Sequence, residues 1–492
     1  MIRIGQLDIF LDERQIREHG KAVRGGSRAF DILEVLIRAE GALVSKDDIM
    51  RSVWPHTVVE ENNLQVHIAA LRKALGRDRD LIVTVPGWGY RLVAKRERRA
   101  MADIPEAPFE ENRRPCRHIA APSSTLIGRE GAVGKILVAF DDTRVITLVG
   151  AGGIGKTRIA TEVAMRAATR FPDGAAFVSL APLSDARFVP DALAAALGVA
   201  ITAGSAPIDA LSESLENRRM VVVLDNCEHL IEAAAQLAAT LTAAHPGLRV
   251  LATSREALRV PGERPLPTMP LELPDEGSGC DAILAASAVQ LFIARARAAD
   301  PRFPLDDQSL SEMAKICRRL DGLPLAIELA AVRAAALGIE VVAAHLDDVF
   351  RMLTGGFRTA APRHQTLQAT YDWSYRLLTD SERRLLRWLS IFRDRFSFEA
   401  IQSVFDGQAF LTADILDAMT GLVSKSLVIR EEGRAAPRYR LLATTRAYAR
   451  QQLENSGECE AAALAYARYL KSASTPALAV RVNPRPVAHA VM

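Results

Sequence analysis

Residues 150–157, Gly150-Ala151-Gly152-Gly153-Ile154-Gly155-Lys156-Thr157, satisfy G-x-x-x-x-G-K-[ST] at every fixed position. That spacing builds a loop that cradles phosphate. Backbone N–H groups from Gly152 to Lys156 can converge only where small residues allow unusual φ/ψ. They form an anion nest at a helix N-terminus, where the helix dipole also favours phosphate. Lys156 then holds the β- and γ-phosphates, and the Thr157 hydroxyl ligates Mg²⁺. A second metal anchor is Asp225, which closes the apolar run 221–224. Ligands of open parallel sheets bind at that end of a strand, and a carboxylate there takes Mg²⁺ directly or through water. Many ATPases carry a second acid immediately afterwards to activate water. Here the place holds Asn226, which cannot accept a proton. Glu228 is the nearest carboxylate, either for that task or as a solvated helix cap. The pattern therefore reads as a site that binds tightly and turns over slowly, at most a slow ATPase used as a switch. In "LATSRE", Arg255 stands at another strand end. It either touches a γ-phosphate or lies solvated in a loop.

A second set of residues could read DNA. Over about 60–75, Leu64, Ile68, Leu71 and Leu75 fall on one helical stripe, which must face a core. The opposite face carries Asn62, Val66, Ala69, Ala70 and Lys73, with Asn63 and Gln65 beside it. Amides pair bidentately with adenine, and small apolar groups touch a thymine methyl. Asn62, Asn63 and Val66, with His67 beside them, are the base-contact candidates at the N-terminal end. Arg72, Lys73 and Arg91 are the phosphate candidates, which position without specifying. Trp54 either donates its indole N–H to the backbone of DNA or sits in the core.

These residues need elements to hold them. Residues 1–24 alternate apolar and polar as short antiparallel strands, followed by helices over 27–39, 45–53 and 60–75 and a hairpin over 81–94. That succession is a winged helix-turn-helix. Residues 95–125 are charged and proline-bearing without a sustained period, as in a linker. Apolar runs at 145–149, 175–180, 221–224 and 249–252 alternate with helical segments, implying a parallel α/β sheet. A helical, alanine-rich stretch covers 282–350, and a mixed region with short apolar runs near 427–429 and 439–442 follows.

A chain of 492 residues is too long for one core. No apolar run reaches the roughly 18 residues of a bilayer span, so no membrane partner is expected. The start lacks a secretory-signal shape. Five cysteines without C-x-x-C spacing argue against a disulfide framework or zinc site and point to the cytoplasm. Net charge is +3; the first 100 residues hold 18 Lys and Arg against 14 Asp and Glu, a weak basic excess at the N-terminus.

With these motifs in hand, residues 126–452 resemble the NB-ARC module of STAND-type ATPases. "LIGRE" (126–130) is similar to the segment near the adenine, "GAGGIGKT" to Walker A, "VVVLDNCEH" to Walker B and "LATSRE" to the first sensor. "GLPLAIELAA" (322–331) resembles the GLPL motif, whose proline, here Pro324, closes over the nucleotide. "RHQTLQATYDWSYRLL" and "YRLLATTRAYA" resemble the following winged-helix subdomain. The resemblance implies ATP or ADP with Mg²⁺ as ligands. It also adds Arg129 and Arg158 to the nucleotide-binding positions. Relatives carry a methionine-histidine-aspartate motif where Leu441-Leu442-Ala443 stand here, so no residue is carried over. Many relatives also continue into a helical-repeat sensor, which leaves open a short form, a truncated product or a separate sensor protein. Residues 1–94 resemble the OmpR/PhoB-type winged helix, with "VVEENNLQVHIAALRKALG" as recognition helix and "VPGWGYRL" as wing.

The expected fold is multidomain. A winged helix-turn-helix DNA-binding domain covers 1–97, a linker 98–124, a P-loop nucleotide-binding domain 125–275 and a helical subdomain with the GLPL motif 276–360. A winged-helix-like subdomain, with no DNA contacts expected, covers 361–456, and a tail without a clear period, ordered or disordered, covers 457–492. The implied function is a transcriptional regulator on promoter DNA, controlled by an ATP/ADP switch. It would oligomerise in the ATP state, with a sensor protein or RNA polymerase as further partners. Two alternatives stand beside it: an ATP-hydrolysing remodelling enzyme targeted to DNA, and a nucleotide-locked scaffold.

Overall fold

The computed structural model describes residues 2–4, 7–11, 14–18, 21–23, 26–39, 41, 43–54, 61–85, 88–93, 125–199, 201, 206–345, 366–406, 410–431 and 437–474. The expected linker, 98–124, lies outside the described residues.

At the N-terminus, β1 (Ile2–Ile4), β2 (Leu7–Phe10), β3 (Gln15–Glu18) and β4 (Lys21–Val23) form an antiparallel sheet in chain order. Leu7, Ile9 and Ile16 bury their side chains at alternate positions, as a one-sided sheet requires. Next come α1 (Ser27–Arg38), β5 (Val44–Ser45), α2 (Lys46–Val53) and α3 (Glu61–Leu75). Ser45 caps α2, accepting from the Asp48 N–H at 3.0 Å. Leu64, Ile68, Leu71 and Leu75 are all at most 2% exposed, so the predicted stripe of α3 does face the core. The hairpin β6 (Ile82–Val85) and β7 (Gly89–Leu92) closes this unit, with β7 also paired to β5.

The second unit begins with α4 (Glu130–Ala139), β8 (Val145–Val149), α5 (Lys156–Arg170), β9 (Ala175–Ser179), α6 (Val189–Leu197) and α7 (Pro207–Leu215). It continues through β10 (Val221–Asp225), α8 (Ile231–Ala244), β11 (Arg249–Ser254) and β12 (Glu263–Pro267). The five strands are parallel in the order β12-β8-β11-β10-β9. In β10, Val221 and Val223 pack toward α4 and α5, while Val222 and Leu224 pack toward α6 and α8. Burial on both faces explains why this strand reads as an unbroken apolar run. The fifth strand, β12, was not anticipated. Its sequence "ERPLP" carries two prolines, which only an edge position tolerates.

The helical unit comprises α9 (Cys280–Ala285), α10 (Ser287–Ala299), α11 (Asp307–Arg319), α12 (Pro324–Leu337) and α13 (Ile339–Ala344). The last unit comprises α14 (Leu367–Arg376), α15 (Asp380–Leu389), α16 (Phe398–Phe405), α17 (Thr412–Ser424), β13 (Ile429–Glu431), β14 (Arg438–Arg440), α18 (Ala443–Asn455) and α19 (Cys459–Ser474). The helical unit's core takes in Ile154 of the phosphate loop and Leu367, Tyr371 and Tyr448 of the last unit, so one apolar cluster spans three units.

The tail from 457, left open in the sequence between order and disorder, is helical over Cys459–Ser474. Helix α19 buries Ala462 and Ala465 and sets Tyr466 and Tyr469 edge-on against Phe392, at 5.5 and 6.2 Å between ring centres. Its apolar spacing is diluted by alanines, which hides the buried face. Residues 475–492 lie outside the described residues.

Candidate nucleotide site and DNA-facing surface

The phosphate loop joins β8 to α5, with Gly155 as the N-cap of α5. Gly153 and Gly155 adopt φ of +77° and +96°, which an L side chain resists. Lys156 is 9% exposed, and its Nζ donates to the carbonyls of Gly150 and Ala151 at 2.7 and 3.0 Å. The ammonium is thus held over the loop mouth.

Asp225 ends β10 at the same edge. Its Oδ1 accepts from the hydroxyls of Thr157 and Thr253, both at 2.7 Å. Thr253 Oγ1 in turn accepts the Asn226 N–H at 2.8 Å. One carboxylate and a hydroxyl beside a phosphate nest is an all-oxygen donor set of the kind Mg²⁺ prefers, with phosphate and water completing the shell. No cluster of three or more His, Cys, Asp or Glu that could hold a metal alone occurs among the described residues. Thr157 and Asp225 are the residues that would hold a Mg²⁺ carried in with a nucleotide. Asn226 has a second reason to be an amide: it sits at φ +66°, a left-handed position that asparagine tolerates.

Arg255 and Glu228 are not solvated. They face each other at 3.6 Å with side chains 6% and 9% exposed, which corrects the loop-arginine and helix-cap readings. Burial pulls the Arg255 guanidinium below its ordinary pKa, and Glu228 partly offsets this. Its Nε and Nη1 are buried without a hydrogen-bond acceptor. The guanidinium lies on the phosphate loop, so a Cβ added to Gly152 would stand 2.5 Å from Arg255 Nη2. Its Nη2 donates to the Thr370 carbonyl at 3.4 Å, and the two unmatched groups of this buried cation at a phosphate nest make a seat for anionic oxygen.

The other units roof this loop. A Cβ on Gly152 would also meet Thr370 Cγ2 at 2.6 Å, and one on Gly153 would meet Leu325 Cβ at 2.9 Å. Leu325 donates its N–H to the Gly153 carbonyl at 3.2 Å. Pro324, at the first turn of α12, comes within 3.9 Å of the Gly155 Cβ position. Arg129 is 9% exposed and ties the preceding segment down by donating to the Ile154 carbonyl at 3.3 Å. Arg158 is half-buried within the field of Glu162, Arg295 and Glu328. The structure thus gathers Gly150, Gly152, Gly153, Gly155, Lys156, Thr157, Arg129, Asp225, Glu228, Arg255 and Pro324 around one loop. Motif reading missed Thr253, Thr370 and His229. The last bonds Asn226 at 3.2 Å and sets its ring against Trp373 of α14 at 5.4 Å. Thr370 and Trp373 are 115 or more residues from Arg255 in sequence, and no local signal could have found them.

The DNA candidates divide. Asn63, Val66 and Lys73 are exposed, and Val66 is 63% exposed despite being apolar. The side chain of Asn62 lies outside the described residues. His67 and Trp54 are half-buried against each other, with ring centres 5.6 Å apart. Arg72 needs correction: it is a structural tie, donating to the Ile82 carbonyl and Thr84 Oγ1, each at 2.6 Å. Arg91 is likewise engaged, in an ion pair with Asp191 of α6, and the two side chains are 14% and 5% exposed. Leu43, Val85 and Trp88 join the core cluster that holds Val178, Leu193 and Ile201. The wing is therefore packed on the nucleotide unit.

Comparison with known proteins agrees with this architecture. Residues 20–92 match the family model "Transcriptional regulatory protein, C terminal", residues 129–260 the NB-ARC domain, and residues 378–454 a winged helix-turn-helix domain. An NB-ARC domain implies nucleotide binding. The protein Rv0894 of Mycobacterium tuberculosis is 35% identical over 349 residues, covering 71% of this chain and 86% of that one. Rv0890c of the same organism, named for an HTH-type transcriptional regulator, is 42% identical over 317 residues, covering 64% of this chain and 34% of that one. The chain thus spans about a third of the length of the first curated relatives it matches. A STAND protein with a tetratricopeptide-repeat sensor from Pyrococcus horikoshii aligns at 17% identity and a TM-score of 0.30, over 73% of this chain and 47% of that one. The chain belongs to the family that joins an OmpR/PhoB-type winged helix to an NB-ARC module.

Proposed function

We propose that the chain is a transcriptional regulator whose access to promoter DNA is set by the nucleotide in its P-loop. The observation that carries the reading is the roof over the loop. Gly152, Gly153 and Gly155 each lie under a residue from another unit, so whatever fills the nest decides how those units sit. ADP leaves the closed packing undisturbed. A γ-phosphate must share space with Lys156, Thr157 and Arg255, and this gives ATP the differential contact that a two-state switch needs. The wing docked through Arg91 and Asp191 connects that switch to the DNA reader, where Asn62, Asn63 and Val66 read bases and Lys73 meets phosphate. With Asn226 after Asp225 and Glu228 tied to Arg255, hydrolysis is slow and serves to reset the switch. Mg²⁺ held by Thr157 and Asp225 supplies charge neutralisation on the phosphates when bound. In the ATP form several chains assemble, and adjacent readers bind DNA with raised avidity.

The test is fluorescence anisotropy of the duplex upstream of the chain's own coding sequence, titrated with full-length protein in Mg-ADP and in a non-hydrolysable Mg-ATP analogue. Tighter and more cooperative binding with the analogue is expected, and the difference should vanish in Lys156→Ala. Equal binding in both nucleotides would overturn the switch. Binding indifferent to sequence and steeply salt-dependent would favour a scaffold with incidental DNA contact.

A further inference from the structure

We propose that the cleft between α11 and α18 is a second anion site, for a multiply phosphorylated small molecule. It is lined by no P-loop residue and is an open cleft of about 1400 Å³. Its walls come from two units. Arg318 and Arg319 end α11 on one side. Arg440 closes β14, and Arg446 and Arg450 lie one turn apart on α18 on the other. Arg393 and Arg395, after α15, complete the rim.

Seven arginines and two aspartates, Asp321 and Asp394, line the space. Some of that charge is already matched. Arg395 and Arg440 reach Glu431 at 2.5 and 2.7 Å, Arg440 also reaches Asp321 at 3.6 Å, and Arg450 reaches Glu454 at 3.4 Å. Counting those four acids together still leaves a surplus of three positive charges. Other guanidinium bonds go to uncharged acceptors: Arg318 donates to the Pro274 carbonyl at 3.4 Å, and Arg446 to the Arg393 carbonyl. Concentrated like charge costs free energy, which a polyanion removes. Guanidinium forks match phosphate oxygens in geometry as well as charge.

Size argues for a small molecule over a duplex. Pockets for drug-sized ligands span about 300–1,000 Å³, so this one takes a bulky polyphosphate with room for water. The same volume is roughly 11 Å on a side, less than the major groove of a duplex alone at about 12 Å.

The position gives the site a consequence. The Asp321 carboxylate accepts the Ala443 N–H, and Pro324, three residues on from Asp321, leans over Gly155. One short segment therefore touches both the cleft and the phosphate loop. An anion bridging α11 and α18 ties the helical unit to the last unit and so holds the roof on the nucleotide.

The test uses the full chain carrying Lys156→Ala, which silences the P-loop, titrated calorimetrically with sodium tripolyphosphate. One-to-one saturable binding is expected. Adding Arg393→Gln and Arg450→Gln, both at exposed positions, should weaken it at least tenfold while leaving the thermal melt unchanged. In the parent chain, tripolyphosphate should slow release of fluorescent ADP several-fold, and the arginine variants should lose that effect. No saturable binding, or binding unaltered by the two substitutions, would overturn the proposal. So would a short duplex that displaces tripolyphosphate on equal terms, because the cleft would then be a nucleic-acid surface.

Discussion

Removing Arg91 should loosen the wing from the nucleotide unit more than neutralising its partner does. The pair is buried, with Arg91 14% and Asp191 5% exposed. Breaking such a pair from one side typically costs about 3–5 kcal/mol, because a buried charge is left uncompensated. Burial already lifts the Asp191 carboxyl above its ordinary value of 3.8, outweighing the attraction of Arg91. The orphaned carboxyl can therefore escape part of the penalty by taking up a proton. That places the expected loss for Arg91→Ala at about 2–3 kcal/mol, roughly 30- to 150-fold in the docked-to-undocked ratio. The sign of the pKa shift makes Asp191→Asn different. Asp191→Asn leaves the Arg91 guanidinium, 14% exposed, without its carboxylate, but an amide oxygen can still accept from it and the carboxyl's own burial cost is gone, so the loss of docking should be smaller than for Arg91→Ala. Added to Arg91→Ala, it should restore most of the lost docking. The raised value also fixes the pH dependence. Asp191's contribution to stability is fullest below pH about 4 and fades as the pH rises through the folded-state value, so the Arg91→Ala defect shrinks in acid. Hydrogen exchange of the peptides covering 82–92 and 189–197 reads this directly. Equal loosening by both single substitutions, or none by Arg91→Ala, would refute the reasoning.

Three other outcomes are expected. Gly152→Ala pushes a methyl toward Arg255 Nη2 and Thr370 Cγ2, at 2.5 and 2.6 Å; it should lower the melting temperature by several degrees and speed ADP release in stopped flow. Asp225→Asn weakens the acceptor shared by Thr157 and Thr253; the Mg²⁺-dependent part of nucleotide affinity should fall about tenfold or more while metal-free binding persists, as titration with and without chelator will show. Asn63→Ala removes an exposed amide from the reading face of α3; anisotropy on matched and scrambled duplexes should show a loss of about 1–3 kcal/mol in discrimination with little change in salt slope.

The legible parts were those set by local pattern. The stripe from Leu64 to Leu75 oriented α3, and the run 221–224 located the strand that presents Asp225. The P-loop could be read because its glycines answer a backbone demand that few other residues meet. What stayed hidden depends on contacts between distant segments. Arg91 reads as a wing cation on any local argument, and only the meeting with Asp191, 100 residues away, shows it engaged. Arg255 and Glu228 stayed open between a role at the phosphate and a solvated surface, because sequence cannot say that they face each other or that Thr370 of α14 meets Arg255. Strand β12 was masked by Pro265 and Pro267, residues that normally count against a strand.

Those two prolines have a further effect on assembly. The Thr268 N–H points to the Val149 carbonyl at 2.7 Å, so along β12 the amides at 264 and 266 face inward and those at 263, 265 and 267 face outward. Two of the outward positions are proline and have no N–H to give. The third, Glu263, spends its N–H on the Val260 carbonyl at 3.1 Å. This rim of the sheet therefore offers no main-chain donor to a foreign strand, which protects it from templated aggregation. Association of chains at this rim would have to be written in side chains, where a few charge reversals could reprogram it.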